Sequence, residues 1–188
     1  MIFRRIEAGD VARLIHIRGL TRENAISREA FSSLGIAEDT VSEKLRTTNR
    51  GWLCEEEGKI VGFAIGDGKS GELWVIAVLP AFEGQGIGSR LLLLVEDWLW
   101  SLGWEELWLW TSTDESLRAF SFYVGHGWLK SEVKDRALYM RKNRPNKAPE
   151  PTPGSVTLRA SSRMTESKRR SANPNPARSA PAPGVAHL

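Results

Sequence analysis

The chain encodes an α/β fold, a single mixed, mostly antiparallel sheet flanked by helices, and three features require it. Two β-prone runs, Trp52–Glu55 and Lys59–Ile65, are joined at Glu57-Gly58 and so form an antiparallel hairpin. Between Glu72 and Thr111 a strand, a long amphipathic helix and another strand follow one another. Such a unit joins parallel strands through a right-handed crossover, so the sheet is mixed. Two short β-prone runs then close it. The 188 residues are enough for one ordinary domain and an appendage, and too few for two domains.

The elements follow in order. Residues 2–7 alternate as a short strand. Asp10 is placed to cap a helix that carries Val11, Leu14, Ile15 and Ile17 on one side. A second helical stretch is expected around Ser27–Leu34, with Ser27 capping, and a third around Thr40–Arg46. After the hairpin, residues 66–71 form a glycine-rich turn, and Glu72–Leu79 is a strongly β-prone strand ended by Pro80. From Gly86 the apolar spacing becomes helical: Leu91, Leu92, Val95, Trp98, Leu99 and Leu102 recur every three or four residues until Gly103 stops them. Glu106–Thr111 is a strand, Ser116–Gly125 a helix, and Trp128–Lys134 with Arg136–Met140 the closing strands. The tryptophan-rich segment 98–110 reads as core rather than as a binding platform.

Composition bounds the function. The chain is 41% hydrophobic and 26% charged, as soluble globular proteins are. The lone cysteine, Cys54, excludes an intrachain disulfide framework and fits a reducing compartment; with three histidines it gives no ligand set for a metal. The N-terminus has no apolar stretch suited to export, and the densest apolar run, Leu91 to Val95, ends at Glu96-Asp97. A cytoplasmic protein without membrane contact is expected. The charge is uneven: residues 1–144 hold 19 Lys and Arg against 21 Asp and Glu, and residues 145–188 hold 7 against 2. The second segment also carries 8 of the 9 prolines and no aromatic residue. Residues 1–144 are therefore expected to form the domain, and 145–188 a disordered basic tail. Its Lys168-Arg169-Arg170 cluster reads as a solvated charge run, so nucleic acid is not the expected partner.

The informative segment runs from Val78 to Leu92. A buried strand ends, glycines alternate at Gly84, Gly86 and Gly88, and an amphipathic helix begins. That arrangement leaves main-chain N–H groups bare beside the positive end of a helix dipole, as phosphate sites require. A Walker loop would need Gly-Lys-Ser/Thr after the last glycine, where Gly88-Ser89-Arg90 stands. A dinucleotide fingerprint would need glycine at Ser89. The loop alone leaves open a phosphate site and a plain tight turn.

A second constellation adds to it. Ser116-Leu117-Arg118-Ala119-Phe120-Ser121-Phe122-Tyr123-Val124-Gly125-His126-Gly127-Trp128 resembles the Asn-x-x-Ala-x-x-Phe-Tyr-x-x-x-Gly-Phe signature of the GCN5-related N-acetyltransferases (GNAT). Glu83 to Gly88 resembles the same superfamily's Gln/Arg-x-x-Gly-x-Gly/Ala motif, and the strand order over residues 1–142 is similar to its fold. Glu83 stands where the family usually has Gln or Arg, and Ser116 where it usually has Asn.

The resemblance implies a GNAT-like acyl-CoA N-acyltransferase fold and direct attack of a primary amine on acetyl-CoA. It implies cofactor contacts from Glu83, Gly84, Gln85, Gly86, Ile87, Gly88, Ser89, Arg90 and Ser116 around the pyrophosphate. Ile76, Ala77 and Val78 would pair with the pantetheine arm as an added strand. Tyr123 would meet the same ligand and protonate the departing thiolate. Glu72 matches the carboxylate base of the family's histone-acetylating branch, and a strand-edge glutamate is the alternative. His126 reads as an exposed turn residue, while Arg18, Arg22 and Glu23 suit either acceptor recognition or a solvated helix face. A small-molecule or peptide amine is the expected acceptor, and a monomer or homodimer the expected state. An acyl-CoA sensor without transferase activity is the rival reading.

Overall fold

The computed structural model describes residues 1–23 and 37–145. The expected helix at Ser27–Leu34 and tail residues 146–188 lie outside the described residues. Seven strands form one sheet: β1 Ile2–Arg5, β2 Asn49–Glu56, β3 Lys59–Asp67, β4 Glu72–Val78, β5 Glu106–Ser112, β6 Leu129–Lys134 and β7 Ala137–Asn143. Among the described residues four α-helices accompany them: α1 Val11–Arg18, α2 Glu38–Thr47, α3 Ile87–Ser101 and α4 Arg118–Gly125. The strand order is β1-β2-β3-β4-β5-β7-β6. Every neighbouring pair is antiparallel except β4 and β5, joined by the crossover through α3. This is the mixed sheet that the sequence requires.

Local chemistry sets the boundaries. Two of the hairpins, β2–β3 and β6–β7, turn through two residues in the left-handed region, Glu57 (φ 50°) with Gly58 (φ 73°), and Asp135 (φ 51°) with Arg136 (φ 64°). That conformation matches the twist of the flanking strands. Asp10 does not cap α1 with its side chain. Its carboxylate faces backward, accepting the Glu7 N–H at 2.8 Å and two N–H groups of Arg4 at 2.8 and 2.9 Å. The helix expected from Ser116 starts two residues later, because Asp114 Oδ1 accepts both the N–H and the hydroxyl of Ser116 in a turn.

Two apolar layers cover the sheet. Leu91, Leu92, Val95, Trp98 and Leu99 of α3 pack with Leu107, Leu109, Tyr123, Trp128 and Met140 on one face. Leu14 and Ile17 of α1 pack with Leu53, Phe63, Ile65, Val75 and Ala77 on the other. Glu96, buried on α3, accepts the Trp128 indole N–H at 2.8 Å and Lys142 Nζ at 2.7 Å. That pairing ties α3, β7 and the turn after α4 together.

One feature of the sheet positions everything functional. β4 and β5 share the single register pair Glu72↔Trp108, next to a bond from Trp108 N–H to Gly71 O at 3.2 Å. Beyond it the strands part. β4 stays paired with β3 through Gly62↔Val78, and Leu79 N–H donates to Val61 O at 2.8 Å. Main-chain groups alternate sides along a strand. Leu79 and Ala77 therefore face β3, and Ile76 and Val78 turn their N–H and C=O groups into the opening.

Candidate functional site

The glycine loop lies at the wide end of the opening. Gly84 and Gly86 adopt φ of 74° and 78°, which only glycine holds without strain. Both face open space, so it is the backbone conformation that demands glycine there. Gly86 is the N-cap of α3, and the first amides of that helix have no intrahelical acceptor. They point, with the positive end of the helix dipole, at a cleft of about 440 Å³. The loop forms one wall of the cleft, Arg118, Ala119, Ser121 and Phe122 of α4 another, Thr21 to Glu23 a third, and Val78 its inner end.

Charge at the mouth is balanced by distant partners. The Glu83 carboxylate pairs closely with Arg118 and lies 3.4 Å from Arg22 Nε. Glu23 Oε1 accepts the Arg118 N–H, the first amide of α4, at 3.2 Å. His126 is half-buried rather than exposed: Nε2 lies 2.9 Å from Ser89 Oγ and Nδ1 lies 2.7 Å from Phe122 O, which joins α4 to the first turn of α3.

Of the residues singled out in the sequence, Val78, Glu83, Gly84, Gly86, Ile87, Gly88 and Ser89 line the cleft. Gln85 and Arg90 are exposed and outside its lining, and Gln85 Nε2 donates to Ala81 O at 3.4 Å. Ser116 also lies outside the lining, with its hydroxyl spent on Asp114 at 2.6 Å. Ile76 and Ala77 are buried along β4 beside the opening. Sequence reasoning misses Arg118 and Phe122 as cleft residues. Their signal is their place in the first two turns of α4, facing the loop.

Tyr123 is fully buried, one residue past Phe122, and its Oη has no hydrogen-bond partner among the described residues. Burial holds the phenol well above its ordinary range, opposed by the positive charge of Arg18. Arg18 is no solvated helix residue: it is 1% exposed and donates from Nη1 to Thr21 Oγ1 at 3.1 Å. Its own value falls to about 10 because burial disfavours the charge, with Tyr123 pulling the other way. Glu72 lies at the closed end, where β4 and β5 meet, and is buried rather than a surface glutamate. Burial pushes its carboxyl up to about 8, Asp67 adds to the rise, and Lys44 and a bond from Trp110 oppose it. Among the described residues no cluster of His, Cys, Asp and Glu could hold a metal ion, and no helix is long and apolar enough to cross a membrane.

The sequence matches the model of the acetyltransferase (GNAT) family over residues 17–128, more than half the chain. The chain belongs to the GNAT family. As a GNAT protein it is an acyltransferase that uses acetyl-CoA as co-substrate. Solved structures share the fold. The PaiA N-acetyltransferase from Thermoplasma acidophilum, in complex with coenzyme A, superposes with a TM-score of 0.66 at 19% identity, over 77% of this chain and 100% of that one. The ribosomal-protein-S18-alanine N-acetyltransferase from Escherichia coli gives 0.61 at 21% identity, over 79% and 97%. Aminoglycoside 6'-acetyltransferase type Ii gives 0.60 at 21% identity, over 77% and 100%. No curated protein matches the sequence. These GNAT structures, like this chain, present one mixed sheet flanked by helices.

Proposed function

We propose that this GNAT domain transfers acetyl to a primary amine by direct attack within a ternary complex, with the cofactor's diphosphate on the loop from Glu83 to Ser89 and its arm along β4. The observation that carries this is one alignment. The bare amides of Gly86 to Ser89 lie at the mouth of the same opening into which Ile76 and Val78 turn their main-chain groups. A loop that needs left-handed glycines and leaves their surroundings open suits a ligand pressed against its backbone. The PaiA enzyme, which shares the fold, is in complex with coenzyme A, and this supports the same ligand here.

Acetyl-CoA supplies the acetyl group as an activated thioester. The residues of this chain supply three things. The loop amides neutralise phosphate charge without a lysine. Main-chain N–H groups of Ile76 and Val78 hold an extended ligand like a neighbouring strand and offer donors to a developing oxyanion. Glu72, with a carboxyl pushed up to about 8, acts in its ionised form, whose carboxylate oxygen takes a proton from the attacking ammonium, directly or through one water. Tyr123 keeps its proton across the physiological range and donates it from Oη toward the departing sulfur.

The fold-related enzymes include ones named for ribosomal-protein alanine and for aminoglycosides as acceptors, so a small amine and a peptide N-terminus both suit the reading. Residues 1–144 would carry all of it, as a monomer or homodimer in the cytoplasm, with 145–188 as an appended basic tail and no nucleic acid required.

Calorimetric titration with coenzyme A, paired with thiol-release kinetics on amines, tests the proposal. Gly86→Val should abolish binding, because valine cannot adopt φ near 78° without strain. Tyr123→Phe removes a buried hydroxyl that has no partner, so the fold should be untouched and binding unchanged. Its turnover should fall by roughly 10²- to 10⁴-fold, the usual loss of a general acid. Normal binding by Gly86→Val would remove the loop assignment. Binding by the wild type without transfer to any amine would leave a cofactor sensor.

A further inference from the structure

The sheet face opposite α3 carries a cluster that the cofactor cleft does not use. Glu72, Trp108, Trp110 and Tyr139 share this face, since Glu72 pairs with Trp108 and Trp110 with Tyr139 across the strands. Their neighbours Leu73, Leu107, Leu109, Leu138 and Met140 alternate into the α3 core. The sequence predicts a core position for all the tryptophans of 98–110. Trp98 and Trp100 are there, but Trp108 and Trp110 are half-buried on the opposite side. Trp108 stacks on Tyr139 with ring centroids 6.1 Å apart and planes at 21°, and its indole N–H donates to Ser70 O at 2.9 Å. The rings are thus held in place with one aromatic surface presented beside a carboxyl that is 8% exposed.

The carboxylates Glu72, Glu132 and Asp135 gather around Tyr139, while the cations of this face, Lys44, Lys134 and Arg141, stand around them. Glu132 is the cross-strand partner of Tyr139 on β6. Arg141, the cation on this face of β7, is turned to Glu106 and to Ser131 Oγ at 3.0 Å. Lys44 lies over the neighbouring Trp74 ring, 4.7 Å from its centre, so this side of the sheet already seats one ammonium on an indole. Aromatic faces and carboxylates attract cations and repel anions.

We propose that this cluster is the acceptor subsite, and that it selects cationic amines without a carboxylate, seating an ammonium between the Glu72 carboxyl and the rings of Trp108, Trp110 and Tyr139. The inference rests on the transferase reading, because it places the acceptor at the closed end of the β4–β5 opening, where Glu72 meets β5. Seating the cationic acceptor favours the ionised form of Glu72, whose proton passes to solvent; the ammonium then gives its own proton to the Glu72 carboxylate and attacks as the free amine. A second positive charge on the acceptor would stay on the indole and tyrosine faces.

Two measurements separate the site from the enzymology. Tetramethylammonium, which cannot be acetylated, should shift the indole N–H resonances of Trp108 and Trp110, assigned through Trp108→Phe and Trp110→Phe, with millimolar affinity. If only other indoles move, or none, the cation site is overturned, whether or not any acetyl transfer is found. Thiol release should then rank butane-1,4-diamine above butylamine, and butylamine above 4-aminobutanoate. The diamine's kcat/KM should exceed that of 4-aminobutanoate by at least about tenfold, in the range set by desolvated cation–π and carboxylate pairing. Equal or reversed ranking would leave the transferase standing and sink the acceptor class. Indole shifts with no acetyl transfer to any amine would leave a cation site and sink the transferase reading, and the acceptor assignment with it.

Discussion

Glu83 shows how a single residue can be legible and its setting not. The sequence places a carboxylate beside an expected diphosphate, where like charges repel. The structure supplies Arg118 and Arg22 to hold it, 35 residues onward on α4 and far back beyond α1. No spacing rule connects them. A ligand phosphate and the Glu83 carboxylate compete for the same two guanidinium groups, both more than half exposed. Glu83→Gln should therefore raise coenzyme A affinity by about 2- to 10-fold, the span of a surface ion-pair effect. Calorimetry at two salt concentrations should also show steeper salt dependence, since two released cations then meet the ligand. Weaker binding would mean that Glu83 chiefly orients Arg118. Arg18 is the opposite case. It lies on the same helix face as Leu14 and Ile17, so position foretold its burial, but its charge argued for solvent and charge was the wrong guide.

At the scale of elements, periodicity was a sound guide wherever one side of an element is buried. The run from Leu91 to Leu102 foretold α3, and the alternation of Leu107, Leu109 and Thr111 foretold β5. Register escaped it. That β4 and β5 share one register pair and then diverge is a property of the assembled sheet, and neither strand's sequence records it. The β2–β3 and β6–β7 hairpins divide in the same way. Glu57-Gly58 announces its turn, because glycine accepts φ > 0 freely. Asp135-Arg136 does not, and Arg136 is held at φ 64° by the pairing of β6 with β7. A non-glycine residue there costs about 1–2 kcal/mol, and glycine's greater freedom when unfolded returns roughly half of that. Arg136→Gly should stabilise the fold by about 0.5–1 kcal/mol in urea denaturation at constant m-value. No change would show that the turn relaxes to accept arginine.

The whole molecule, rather than any element, determines the state of Glu72. Leu73 anchors β4 in the α3 core, the register pair with Trp108 closes one side, and the assembled sheet removes the carboxyl from water. Unfolding returns it to the ordinary value of 4.5, against about 8 in the fold. Below 4.5 both states carry the proton and the neutral carboxyl contributes its full stability. Between 4.5 and about 8 the folded chain keeps the proton that the unfolded chain has released, so stability falls as pH rises through that window. At 1.36 kcal/mol per unit the loss approaches roughly 4 kcal/mol by the upper end, a large share of a domain's stability. The groups that set the value, Asp67 from β3, Lys44 from α2 and Trp110 from β5, are brought to Glu72 only by folding. Glu72→Gln keeps a neutral side chain of the same shape at every pH, and so removes the slope. Wild type and variant should denature at similar urea concentrations at pH 4.5, and the variant should become the more stable of the two by pH 8. Parallel curves from pH 4.5 to 8 would mean that Glu72 is ionised in the folded protein, and its burial would then need a cation nearer than Lys44.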